Sequence, residues 1–270
     1  MIGIITINYN QYQQTQEFLE SLNLVKKAKN AWVYIADLSS KKESINTQKY
    51  RFQVTIEKKE NKGYSFGVNC GLRFFLNKGT EQFCVVNNDI LFDNDFLIEV
   101  EKTFEKADVF GGKIYYAKGF EYHKNRYQKK DLGKVLWYAG GGFDWENALT
   151  FHRGVDEADV GQYDKFEETE FISGCLFCFN KKVVDVVGFW DEKYFLYFED
   201  ADYSIRIKKK GFRIYYNPKI IIWHKNAQST GGVGSVVHQK YQRKNRLIFG
   251  LKYAPFKTKI HLLINYLLGR

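Results

Sequence analysis

Three stretches of this 270-residue chain carry residue types that can do chemistry, and two more invite it. Asn87-Asn88-Asp89 ends a β-rich apolar run. A carboxylate there can hold a divalent cation against the two phosphates of a nucleotide diphosphate, because Mg2+ and Mn2+ take hard oxygen ligands and few of them from the protein. The same triplet also fits an Asx turn closing a strand. Phe198-Glu199-Asp200-Ala-Asp202 opens a helical stretch. Acids in a first turn offset the helix dipole and cap free N–H groups. A carboxylate aimed from that position can instead act as a general base on an attacking hydroxyl, worth about 10²–10⁴ in rate. His224 follows the apolar run Ile220–Trp223. A neutral imidazole is a good metal ligand, so His224 and Asp89 could share one ion if their strand ends converge. Cys175-Leu-Phe-Cys178 has the spacing of a metal motif. In a strand, residues three apart point to opposite faces, so the two sulfurs do not chelate together. The glycine-rich Asn61–Gly71 lacks the Gly-Lys-Ser/Thr of a phosphate loop and does not follow the first strand, so neither nucleotide fingerprint applies. Its glycines at 63, 67 and 71 share one helix face and permit close approach of that helix to a neighbour or ligand.

These groups need a frame that brings strand ends together. Apolar β-rich runs at Ile2–Asn8, Ala31–Ala36, Phe52–Ile56, Phe83–Val86 and Val109–Tyr116 read as strands. Helical stretches fall near Phe18–Leu22 with Thr15 as a cap, after Gly71 to Leu76, and over Phe96–Phe104. Alternation of this kind gives an α/β fold with a doubly wound, mostly parallel sheet. Ligands of such sheets bind beyond the carboxyl ends of the strands, where Asn8, Asp37, Asn61 and Asp89 all fall. Regularity weakens between about 118 and 170. Beyond it, Phe171–Phe179 reads as a buried strand, Lys182–Val187 and Glu199–Lys210 as helices, and Ile214–Tyr216 and Ile220–Trp223 as strands flanking Pro218. The last thirty residues read as two basic amphipathic helices split near Pro255.

Apolar residues at 44% and charged residues at 27% exclude collagen-like, disordered and disulfide-scaffold classes. No apolar run reaches the roughly 18 residues of a membrane span. The start has no basic n-region, which gives the expectation that the protein begins as written and works in the cytoplasm. Four cysteines are too few for a disulfide framework. The net charge of +10 is unevenly spread: no acid follows Asp202, and fifteen Lys and Arg do. The first 202 residues therefore hold 26 bases against 31 acids. An acidic body with a basic tail points to a polyanion, either nucleic acid or an anionic membrane surface.

Several motifs resemble the family 2 glycosyltransferases with their GT-A-type fold, nearest the rhamnosyltransferase-like enzymes of bacterial surface-polysaccharide (O-antigen and capsule) assembly. They are Thr6-Ile-Asn-Tyr-Asn10, Asn61-Lys-Gly-Tyr with Gly67 and Asn69, Val86-Asn-Asn-Asp89, Ser173-Gly-Cys, the block from Val187 through Asp202 to Lys225, and Tyr241-Gln-Arg-Lys-Asn-Arg246. The resemblance implies a single domain over 1–235, with a nucleotide-sugar half at 1–115 and an acceptor half at 116–235, and a basic helical extension at 236–270. It implies an inverting transfer from a nucleotide diphosphate sugar, dTDP-rhamnose or a UDP-hexose, to a glycan or lipid-linked glycan hydroxyl. Thr6, Asn8, Asp37, Asn61, Gly63 and Asn88 are then expected at the nucleotide. Asp89 and His224 are expected at a divalent metal, Mn2+ or Mg2+. Asn87 stands where the family's metal motif has its first acid. Asp200 is the expected base with Glu199 beside it, and Trp190, Asp191 and Tyr194 face the acceptor. Trp137, Gly140–Gly142, His152, Arg153 and Asp164 are candidates for the pocket that chooses donor and acceptor. The basic tail fits peripheral binding to the inner face of the cell membrane, body packing or a homodimer contact. A nucleic-acid-binding module is the alternative from another class; no nucleic-acid motif supports it. A catalytically dead relative that only binds sugar nucleotide is the other, against which Asp89, Asp200 and His224 stand.

Overall fold

A computed structural model describes residues 1–41, 43–123, 125–225 and 236–268. Chain order begins with β1 (Ile2–Asn8), α1 (Tyr12–Leu24), β2 (Ala31–Asp37), β3 (Gln53–Lys58), α2 (Tyr64–Asn77), β4 (Gln82–Val86), β5 (Ile90–Phe92), α3 (Phe96–Phe104) and β6 (Val109–Tyr116). The second half holds β7 (Leu136–Tyr138), β8 (Gly141–Asp144), β9 (Leu149–His152), β10 (Glu167–Glu168), β11 (Leu176–Asn180), α4 (Lys181–Val187), α5 (Glu199–Lys209), β12 (Tyr215–His224), α6 (Val236–Tyr253) and α7 (Phe256–Leu267). The division expected at 235 lies outside the described residues.

The main sheet runs β10-β12-β6-β11-β4-β1-β2-β3. Strands β3, β2, β1 and β4 are mutually parallel, and β12 is parallel to β6. β11 lies between β4 and β6, antiparallel to both, so β6 and β12 point the same way as β1 and β4. Asn8, Asp37, the 87–89 turn, Tyr116 and His224 therefore share one edge. β6 is buried along its whole length, as its apolar run requires. α2 lies close over β1: a Cβ on Gly67 or Gly71 would stand 2.7 Å from Ile7 or 2.6 Å from Ile5.

Three local expectations change. Thr15 does not cap α1; it lies inside the helix, and its hydroxyl bonds Asn8 Oδ1 and the Gln11 carbonyl. The strand expected at Phe171–Phe179 is confined to Leu176–Asn180. Upstream, the Ile172 and Gly174 N–H groups donate to Ser204 and Asp200 on α5 instead of to a neighbouring strand. Pro218 does not separate two strands. It sits in a bulge of the single strand β12, between Asn217 and Ile221, where its missing N–H costs no ladder bond.

Candidate active-site cleft

The strand edge opens into a cleft of about 940 Å3. Its lining takes Asn61, Gly63, Asn88, Asp89, Glu199, Asp200 and His224 from the expected set, with Trp137 and His152. The walls come from both halves of the chain and from the first turns of α6, through His238, Lys240, Tyr241 and Gln242.

Sheet register makes the first pair. β5 runs antiparallel to β12 with Ile90 opposite His224, and the Lys225 N–H donates to the Asp89 carbonyl at 2.8 Å. That places His224 Nε2 3.2 Å from Asp89 Oδ1, both side chains buried. Burial alone would push the imidazole down. Asp89 overrides it and, with the Cys175 thiol adjoining the ring, holds His224 well above the usual histidine range. We attribute the rise to Asp89, because burial keeps the Cys175 thiol itself protonated. Trp137 packs edge-on between the rings of His224, at 4.6 Å, and His152, at 4.4 Å. Burial pushes His152 down to about 4, so it is neutral near pH 7.

The donor set fits a hard divalent ion. Two neighbouring ligands of an octahedral Mg2+ or Mn2+ stand about 3.0 Å apart when each bond is about 2.1 Å, and the Asp89–His224 spacing is 3.2 Å. Among the described residues no group of three or more His, Cys, Asp and Glu side chains could hold a metal. Protein donors would thus supply two positions and leave the others to a ligand and water.

The second pair behaves differently. Asp200 Oδ2 accepts from the Gly174 N–H and Oδ1 from its neighbour Ala201 N–H, each at 2.8 Å. Burial pushes Asp200 up to about 6, against these backbone donors. Glu199 is more deeply buried, and Oε2 has no hydrogen-bond partner among the described residues. Burial, then the charge of Asp200, holds Glu199 well above the carboxylate range. Of this coupled pair Glu199 is held the higher, so Asp200 is the carboxyl that ionises first as pH rises.

Tyr64 joins the pairs: its hydroxyl lies 3.1 Å from Asn87 Oδ1 and 3.0 Å from the Gly174 carbonyl. Gly63 permits this. Its φ is +100°, and a Cβ there would stand 2.4 Å from the Phe195 carbonyl oxygen, which accepts from the Tyr64 N–H at 2.7 Å. Tyr64 had one sequence signal, its place after Asn61-Lys-Gly, but no charge to mark it.

Other expected residues lie outside the lining. Thr6 and Asn8 are fully buried in β1. Asp37 accepts from Asn8 Nδ2, Ser39, Tyr12 and Lys58, which hold it below the usual carboxylate range although burial would raise it. Its neighbour Leu38 reaches the cleft instead. Trp190 is packed behind the cleft, stacked on Tyr203, and Asn69 holds its backbone through both N–H and C=O. Tyr194 is fully buried, and Asp191 faces Lys252 at 3.4 Å. Phe195 to Phe198 line the cleft in their place. Arg153 pairs with Glu167 and Asp164 with Lys113, so neither lines it.

Residues 33–249 match the family described as Glycosyltransferase like family 2. Two curated relatives are N-acetylglucosaminyl-diphospho-decaprenol L-rhamnosyltransferases of Mycobacterium tuberculosis, strains CDC 1551 / Oshkosh and ATCC 25618 / H37Rv. Each is 36% identical over 61 residues, 23% of this chain. The match spans a fifth (20%) of the length of those relatives. Among solved structures, the mannosyltransferase PcManGT from Pyrobaculum calidifontis in complex with GDP-Man and Mn2+ is similar over 98% of this chain and 69% of its own, at 14% identity and TM-score 0.58. GalNAc-T7 with UDP, GalNAc and Mn2+ is similar over 90% of this chain and 48% of its own, at 13% identity and TM-score 0.64.

Proposed function

The chain belongs to the family 2 glycosyltransferases and shares the GT-A-type fold, and from that premise we propose that it moves a sugar from a nucleotide diphosphate sugar to a hydroxyl of a glycan or lipid-linked glycan, with inversion. The observation that carries this is the convergence, in one cleft, of the Asp89–His224 pair and an Asp200 poised near pH 6. Inversion needs one displacement, with a base on the acceptor and charge compensation on the leaving group.

Asp200 takes the proton from the acceptor hydroxyl. The Gly174 and Ala201 N–H groups fix its carboxylate, one on each oxygen, so little reorganisation accompanies the step. Glu199, held higher by burial and by the charge of Asp200, keeps its proton longer than Asp200 does. Asp89 and His224 would hold a divalent cation, which when bound offsets the charge on the departing nucleotide diphosphate. With two such donors among the described residues, that ion would bind mainly together with the nucleotide. Asn61, Gly63 and Asn88 line the donor side; Thr6, Asn8 and Asp37 act from beneath it, by holding the ends of β1 and β2. Trp190, Asp191 and Tyr194 likewise support the acceptor segment 195–198 from behind.

The rhamnosyltransferase names of the curated relatives support a rhamnose donor; with the sequence motifs, dTDP-rhamnose is the leading donor, a UDP-hexose the next, and surface-polysaccharide assembly the proposed setting. A lipid-linked acceptor also calls for a membrane surface. No helix among the described residues is long and apolar enough to cross one. α7, however, exposes Phe256, Ile260, Leu263, Ile264 and Leu267 beside Lys257 and Lys259, a composition suited to an anionic interface. Co-sedimentation with anionic vesicles that is released by high salt checks this; no binding at low salt refutes it. For the activity itself, nucleotide release is measured across dTDP, UDP and GDP sugars with Mn2+ and a hydroxyl-rich acceptor mixture. One donor is expected to support release; release from none refutes the assignment.

A further inference from the structure

Immediately before Glu199 and Asp200, Tyr197 and Phe198 both occupy the left-handed region, with φ of +71° and +70°. Two successive aromatic residues there are costly, and such strain persists only where surroundings impose it. Phe198 occupies the N-cap of α5 without a capping side chain. The imposing element is α6. Asn245, 1% exposed, donates from Nδ2 to the carbonyls of Leu196 at 2.8 Å and Tyr197 at 3.1 Å. A primary amide has two N–H donors, one for each carbonyl. Neighbouring residues of α6 grip the same turn: Tyr241 stacks on Phe195 with ring centres 4.7 Å apart, and Phe249 meets Phe198 at 5.3 Å. Further along, Lys252 and Tyr253 both bond Asp202 Oδ1, at 2.6 and 2.7 Å. From the opposite side, the Tyr64 N–H holds the Phe195 carbonyl. Segment 195–198 is thus clamped between α2 and α6.

We propose that Asn245 is a positioning residue for the transfer: by binding the Leu196 and Tyr197 carbonyls it holds the left-handed turn that sets the direction in which Asp200 enters the cleft. This rests on the assignment of Asp200 as base. α6 is then part of the acceptor side of the active site, whatever surface α7 meets.

Asn245→Asp keeps the shape of the side chain and removes both donors; Asn245→Ala removes them without adding charge. Leu251→Ala, on the exposed flank of α6, is the helix control. Both Asn245 variants are expected to lower kcat at least tenfold with the donor KM within twofold of wild type, and the control to change neither. Backbone hydrogen exchange over 197–202 is expected to quicken at least tenfold while exchange in β1 is unchanged. An unchanged kcat, unchanged exchange at 197–202, or a parallel loss of melting temperature and donor affinity overturns the proposal. If wild-type protein releases nucleotide from no sugar donor, the assignment of Asp200 fails instead, and the exchange measurement still decides whether Asn245 holds the turn.

Discussion

The two charged centres of the cleft are built by opposite means. On the donor side, ladder register between β5 and β12 sets Asp89 against His224, and each charge answers the other. On the acceptor side, Glu199 and Asp200 are two adjacent carboxyl groups at one helix start, both pushed up by burial. Side chains from other elements and a strained turn aim them. A centre held by backbone pairing tolerates change around it, whereas one held by tertiary props and desolvation is costly to keep and easily detuned. With Asp200 as the proposed base, the same desolvation would tune it for proton transfer near pH 7.

Replacing the base should separate the two sides most sharply. Asp200→Asn is expected to lower turnover by about 10²–10⁴ while nucleotide binding is kept. The fold should not suffer. A carboxyl raised in the folded state stabilises least once it is ionised: stability is full below its unfolded pKa of about 3.8 and lost as pH rises to about 6. Relief of that cost offsets the one backbone N–H that the amide nitrogen cannot accept, so the variant's melting temperature at pH 7.5 should stay close to that of wild type. Full turnover in Asp200→Asn would break the comparison.

His224→Ala should do the reverse. A nucleotide at a hundred times its dissociation constant adds about 2.7 kcal/mol of stability. In the wild type much of that gain should need Mn2+, and in the variant addition of metal or chelator should make no difference. A variant that still responds to metal would place the ion elsewhere.

A pH profile tests both sides at once. Asp200 must be ionised to accept a proton, so turnover at saturating donor and metal should fall about tenfold per unit below about pH 6. Metal binding should also weaken as pH falls, because Asp89 strengthens the hold of His224 on its proton and a ligating nitrogen must lose it. Turnover flat from pH 5 to 8 would contradict the assignment of Asp200, and metal affinity indifferent to pH over that range would contradict the assignment of His224.

The smallest effect is expected at Glu199. Glu199 keeps its proton longer than Asp200 and a protonated glutamic acid is closely mimicked by glutamine, so Glu199→Gln should lower turnover far less than Asp200→Asn. Loss comparable to that of Asp200→Asn would reassign the base to Glu199.

Sequence pattern showed most of this frame and the donor-side pair. Apolar runs bounded by Asn and Asp marked β1, β2 and β4, and strand ends that share one edge brought Asp89 and His224 into one question. The acids at 199–202 were legible as a helix start, but which of them is ionised depends on burial, and burial is decided by elements distant in the chain. α6 was ambiguous for a physical reason. An apolar stripe among lysines and arginines suits a membrane, a partner or the body equally, and a lone Asn such as Asn245 adds nothing to the periodicity. Trp190 and Tyr194 were expected at the acceptor from the family resemblance, and sequence pattern alone does not tell an aromatic that lines a cleft from one packed behind it. The stacking of Trp190 on Tyr203 places it in the core.

The most direct test of the central claim is a calorimetric titration of dTDP, UDP and GDP into the wild-type protein, with Mn2+ and with chelator, in buffers of different protonation enthalpy. The account predicts that one nucleotide binds at least tenfold more tightly with Mn2+, and that this binding releases a proton from His224. Tight binding indifferent to chelator, or no binding of any nucleotide with metal present, would contradict it.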